Sequence, residues 1–197
     1  MTLIIAAHND KNIVIGSDTL TTVDLDGVKQ PDIVTQKIIK INKHAALGLS
    51  GLFGPSTKQF IKDFCYNNRK AKDVTELQRA FLQNVAATLI LDERELLQII
   101  LVGFTNDKPA IRYVNVKAGV RPNWGTLESN FHTIGFDGPS QIATQLLREK
   151  NVEAKPQAKE LKKIVKDTLN ACINEFSNSN DERLGGLPKI IALPQLW

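Results

Sequence analysis

Cysteine is scarce in this sequence, with Cys65 and Cys172 the only two among 197 residues. Both fall in helical patterns far apart in the chain, and neither has a histidine or cysteine neighbour at metal-ligand spacing. A disulfide framework and a metal site are therefore not expected, and the two read as small core residues of a protein in a reducing cytoplasm. Long apolar runs are missing as well. The opening run from Thr2 to Ala7 is six residues long, has no basic lead or cleavage pattern, and gives out at His8. It does not read as a secretory signal, and no stretch approaches the roughly 20 apolar residues that span a bilayer. Blocks of one charge are also absent. The formal net charge is +4 and the isoelectric point near 9.0, but the basic residues are scattered. The richest stretch, Lys155 to Lys166, intersperses Leu161, Ile164 and Val165 at helical spacing, so its lysines read as a solvated helix face and not as a nucleic-acid patch.

Motifs of several chemistries are absent too. Gly48, Gly51 and Gly54 are spaced wrongly for a phosphate loop and lack its lysine, so no nucleotide cofactor is expected. Ser50 is not in a nucleophile elbow, because a glycine follows it immediately. His8 and His44 lie in proposed turns and His132 near a strand, which disfavours a triad. There are no internal repeats, low-complexity tracts or linkers. With 42% hydrophobic and 23% charged residues, the chain reads as one domain over residues 1–197 that needs no covalent staples.

What is present gathers at the start. Thr2 follows the initiator methionine, so removal of one residue would leave a threonine with a free amino group. Such a residue combines a nucleophilic hydroxyl with a base, since an unperturbed α-amine titrates at about 7.7 to 8.0. Apolar runs at 3–7 and 13–17 flank the turn formers His8 to Asn12, the pattern of a β-hairpin. A turn centred on Asp10 sets Asp18 opposite Thr2 at the open end, within one residue of register. A second hairpin joins Lys37–Ile41 to Ala45–Ser50 through Asn42, Lys43 and His44; centred near His44, it sets Lys37 opposite Gly51. Hydroxyl, carboxylate, ammonium and glycine amide thus all lie at strand ends.

Beyond these hairpins, residues 56–68, 74–91, 140–149 and 156–176 read as helices, the second capped by Asp73. Residues 96–104, 110–116, 130–134 and 189–193 read as strands, and Val120 to Gly125 as an exposed loop. Strands, paired helices, strands, paired helices and a closing strand form an α+β order in which helices cover the outer faces of two stacked sheets. The continuous apolar strands agree, because both faces of each sheet must be buried.

The order Thr2, then Gly16-Ser17-Asp18-Thr19 to Thr22, then Lys37 to Ile41, then Leu49-Ser50-Gly51-Leu52 resembles the catalytic β subunits of the proteasome and their bacterial relatives. The intervals from Thr2 to Asp18 and from Lys37 to Gly51 match that family without a gap. Between Asp18 and Lys37 this chain is about three residues longer, an insertion that a turn around Asp24 to Gly27 tolerates. Thr133 to Pro139 resembles the family's glycine-rich turn before a helix, and Asp181 to Gly186 its acidic loop before the last strands. Two positions depart: Phe136 or Asp137, and Leu184, stand where the family usually has serines that order the amino terminus and a nearby water.

The resemblance implies a four-layer αββα sandwich of the N-terminal nucleophile hydrolase type and a threonine peptidase acting on polypeptides. Thr2 would be the nucleophile, with Asp18, Lys37, Gly51 and Asp181 in the catalytic group. An ammonium near Thr2 lowers the cost of a developing alkoxide and keeps the α-amine unprotonated, and Asp18 would keep Lys37 charged. The Gly51 amide would stabilise the oxyanion. Thr22 would bond the substrate backbone, and Leu49 would face the pocket for the side chain preceding the cleaved bond. The resemblance further implies a homo-oligomeric ring, or stacked rings, enclosing a chamber and fed by an ATP-dependent unfoldase. Trp124 and Trp197 are candidates for subunit contacts. The alternatives are a non-catalytic ring subunit or scaffold, and a small-amide hydrolase or peptide ligase using the same Thr2 chemistry.

Overall fold

The computed structural model describes residues 2–21, 24–25, 28–29, 33–34, 36–52, 54–88, 91, 95–135, 137–177 and 184–194. The strands are β1 (Leu3–His8), β2 (Asn12–Ser17), β3 (Leu20–Thr21), β4 (Asp24–Leu25), β5 (Val28–Lys29), β6 (Ile33–Val34), β7 (Ile38–Lys40) and β8 (Ala46–Leu52), followed by β9 (Leu96–Thr105), β10 (Lys108–Lys117), β11 (Val120–Leu127), β12 (Phe131–Gly135) and β13 (Lys189–Pro194). Helices α1 (Pro55–Asn67) and α2 (Val74–Thr88) separate β8 from β9, and α3 (Asp137–Glu149) and α4 (Ala158–Phe176) separate β12 from β13. None of them is long and apolar enough to cross a membrane.

Two antiparallel sheets carry the fold, ordered β12-β1-β2-β13 and β11-β10-β9-β8-β7. Because side chains alternate along a strand, β1 serves two cores at once. Leu3, Ile5 and Ala7 pack under α3 and α4 with Leu147, Leu161 and Val165. Ile4 and Ala6 face the second sheet and meet Ile38, Ile100 and Val102. The second sheet repeats the arrangement, sending Leu47, Leu97, Ile99 and Leu101 under α1 and α2 against Ile61, Leu77 and Phe81. The result is the expected αββα sandwich. Asp73 caps α2 as expected, its Oδ1 accepting from Thr75 N at 2.6 Å.

The loop expected at Val120 to Gly125 is instead most of β11, paired to β10 from Ile111↔Leu127 to Lys117↔Val120. Its polar, proline-bearing sequence suits an edge strand, where Pro122 leaves no missing donor inside the ladder. Gln78 of α2 ties that edge down, its Nε2 donating to Tyr113 O at 3.1 Å and Gly125 O at 3.0 Å. A short 3-10 turn, Val152–Ala154, was also not expected from the sequence.

The first hairpin lies within the expected one-residue margin of register, and the second differs from expectation by two. In the first, Asn9 Oδ1 accepts from the backbone N–H of Lys11 and Asn12 at 2.9 and 2.7 Å. That closes the turn between Asp10 and Lys11, so Ile4 pairs with Ser17 and it is Leu3 that lies opposite Asp18. In the second, Asn42 Oδ1 accepts from His44 N at 2.7 Å and Ala45 N at 3.0 Å, and the turn centres on Lys43. Lys37 therefore lies opposite Leu49, two residues short of Gly51, with Leu49 N donating to Lys37 O at 2.8 Å.

Candidate active site

Of the expected residues, Asp18 and Lys37 meet at the ends of β2 and β7, beside the start of β1. Asp18 follows β2 directly and is 0% exposed. Its Oδ1 accepts from the backbone N–H of Leu3 at 2.9 Å, and its Oδ2 accepts from Lys37 Nζ at 2.7 Å. One carboxylate thus holds both the strand that begins beside Thr2 and the ammonium group. Lys37, 4% exposed, also donates to the carbonyl of Leu20. Thr2 is 9% exposed at the head of β1.

Removing an ion pair from water is costly unless each charge is met by good partners. Burial pushes the Asp18 carboxyl above its ordinary range, while the Lys37 charge, its hydrogen bond and the Leu3 amide pull it back. Burial pushes the Lys37 ammonium below its ordinary range, opposed by Asp18. The short contacts on both oxygens and the Leu20 carbonyl favour the charged pair.

Two glycines, near the end of β8 and at the end of β12, make close backbone approaches. Gly51 has φ +120°, and a Cβ there would stand 1.9 Å from Leu96 O. Gly135 has φ +146°, and its Cβ would stand 2.2 Å from the carbonyl oxygen of Thr2. Only glycine allows backbone to approach so closely. Amides along β8 point alternately to β9 and β7; Leu49 spends its N–H on Lys37, and β7 begins only at Ile38. Gly51 lies two residues further along β8, exposed and past the start of the neighbouring strand.

Leu49 is 6% exposed and packs in the core beneath α1 with Ile61 and Phe64. Leu184 is fully buried against α3 and α4, so a serine's substitute at that position serves packing. Thr22, Phe136 and Asp181 lie outside the described residues, as does Trp197. Asp137 opens α3 and is exposed, and Trp124 is exposed on β11. Several contributors escaped the sequence reading because they are backbone groups: the Leu3 amide, the Leu20 carbonyl, and Gly185 O, which accepts from Thr19 N at 3.1 Å and Leu20 N at 3.0 Å. The Gly185-Gly186 pair was the only sequence signal for that contact.

The fold is an αββα sandwich, two antiparallel sheets between two pairs of helices, an architecture shared with solved structures. Among solved structures, the chain is similar to a eukaryotic HslV from Trypanosoma brucei, with a TM-score of 0.64 and 14% identity over 98% of this chain and 99% of that one. It is also similar to Thiobacillus denitrificans BPH in complex with epoxomicin, with a TM-score of 0.62 and 15% identity over 99% of this chain and 100% of that one. No protein-family model and no curated protein sequence matches the chain. At such identities the likeness shows the fold alone.

Proposed function

We propose that this chain is a threonine-type N-terminal nucleophile peptidase whose nucleophile is Thr2, exposed by removal of Met1. The observation that carries the reading is the division of the Asp18 carboxylate between the Lys37 ammonium and the amide of Leu3, the residue after Thr2. Thr2 Oγ1 attacks the scissile carbonyl as its proton passes to the α-amine, and Lys37 stabilises the developing alkoxide. The Gly51 N–H receives the tetrahedral oxyanion. Collapse of that intermediate breaks the C–N bond, and the α-ammonium returns the proton to the departing amine. Water, deprotonated by the same α-amine, then hydrolyses the ester and releases Thr2.

In this reading Thr22 bonds the extended substrate backbone, Leu49 gives its pocket an apolar floor, and Asp181 orders the amino terminus. The substrates are polypeptides admitted to a chamber formed by a homo-oligomeric ring in the cytoplasm, with an ATP-dependent unfoldase as the supplying partner. Intact mass spectrometry and turnover of short apolar fluorogenic peptides test it together. The expected result is a chain lacking Met1 whose turnover disappears in Thr2→Ala. Retention of Met1 in the assembled protein would favour a scaffold, and equal turnover by wild type and Thr2→Ala would remove Thr2 as the nucleophile.

A further inference from the structure

Helix α1 begins without a cap of its own. Its N-cap residue is Gly54, which has no side chain; Pro55 follows at the first helical position, and the first turn carries no acid. The amino end of a helix presents unsatisfied N–H groups and partial positive charge, so a 13-residue helix starting this way wants an acceptor from elsewhere. Glu95 supplies it. Its Oε1 accepts the Gly54 N–H across 41 residues of sequence, and the residue is 8% exposed, an unusual burial for a glutamate.

The next residue, Leu96, grips the other end of the same connection. Gly51 pairs with Leu97 and packs its backbone on Leu96 O, where a Cβ would stand at 1.9 Å. The dipeptide Glu95-Leu96 therefore contacts both Gly51 and Gly54, and Gly51 carries the amide assigned above to the oxyanion. From this we infer that Glu95 is a positioning residue for the reaction: its carboxylate anchors Gly54 and thereby fixes the attitude of the Gly51 N–H. Glu95 does not touch the reacting atoms. Its effect falls on the transition state, because a donor misaligned by a fraction of an ångström still admits substrate but no longer meets the oxyanion.

The inference rests on the peptidase reading, and the test separates the two. In Glu95→Ala, kcat for a short apolar peptide is expected to fall by about 10- to 100-fold with KM within about twofold, a fraction of the loss from deleting an oxyanion donor outright. Glu95→Gln keeps a carbonyl acceptor for the Gly54 N–H and is expected to retain most of kcat. Hydrogen exchange followed by mass spectrometry on fragments covering residues 48–56 provides a readout independent of turnover: exchange accelerates in Glu95→Ala and stays near wild type in Glu95→Gln. Should the alanine variant fail to fold, Gly54→Pro removes the same N–H from the opposite side at a residue whose φ is −85°. Unchanged exchange in these variants, or a kcat within about twofold of wild type in Glu95→Ala, overturns the role of Glu95. Wild-type protein without Thr2-dependent turnover overturns the peptidase reading instead, and the exchange result then stands by itself.

Discussion

Replacing Gly135 by alanine tests whether the head of β1 is held as tightly as the site requires. The new Cβ would stand 2.2 Å from Thr2 O, whereas real Cβ atoms are not found closer than 3.0 Å, so the carbonyl of Thr2 must retreat by at least 0.8 Å. Displacement of that size in a reacting group costs on the order of 100-fold in rate. The φ of +146° adds strain of roughly 1–3 kcal/mol to the folded state. Gly119→Ala supplies the control. Its φ is +67°, nothing lies within 4 Å of its Cβ, and its cost is strain alone, about 1–2 kcal/mol. Turnover of a fluorogenic peptide would be measured for both at a temperature where thermal unfolding shows each fully folded. The expectation is a rate loss of about two decades for Gly135→Ala and almost none for Gly119→Ala. If Gly135→Ala turns over within about threefold of Gly119→Ala, the placement of the Thr2 backbone does not govern catalysis and the reasoning fails.

Other outcomes follow from the same geometry. Lys37→Met strands a buried carboxylate and is expected to cost about 3–5 kcal/mol in urea unfolding, as is typical when one partner of a buried pair is lost. Combining it with Asp18→Asn should recover part of that cost; single effects that simply add, to within about 0.5 kcal/mol, would show that the two groups are not coupled. Burial holds the imidazoles of His8 and His132 below their ordinary value. The unfolded chain therefore binds more protons as pH falls below about 6.5, and the melting temperature should drop over that window. A His8→Gln/His132→Gln variant with an unchanged slope would count against this assignment. Phe81, whose ring meets Phe60 and Phe64 edge-on at 5.6 and 5.1 Å, should lose roughly 3–5 kcal/mol on change to alanine in the same unfolding assay.

The layers were legible because β1, β2, β8 and β9, at the centre of the two sheets, are apolar along most of their length, and four helical patterns fall between the strands at the right intervals. Register was less so. Side-chain oxygens of Asn9 and Asn42 decide where each turn closes, and a count of apolar residues does not say which asparagine lone pair takes which amide. The first hairpin fell within its one-residue margin, and the second was read two residues off. β11 was missed since an edge strand with one solvated face and a proline has the composition of a loop. At the site, Asp18 and Lys37 could be found by residue type and spacing. The groups that hold them, the Leu3 amide, the Leu20 carbonyl and the Gly185 carbonyl, are main-chain atoms that any sequence offers.

Hairpin β1-β2 sits between β12 and β13, both supplied by the second half of the chain, and Gly185 clasps the Thr19-Leu20 segment that receives Lys37. During synthesis, β1 and β2 must therefore wait for β12 and β13, which are made well after them. A nascent chain stopped before Lys189 lacks one border of its first sheet, so the buried Asp18–Lys37 pair at the end of that sheet gains its full surroundings only once β13 has been made.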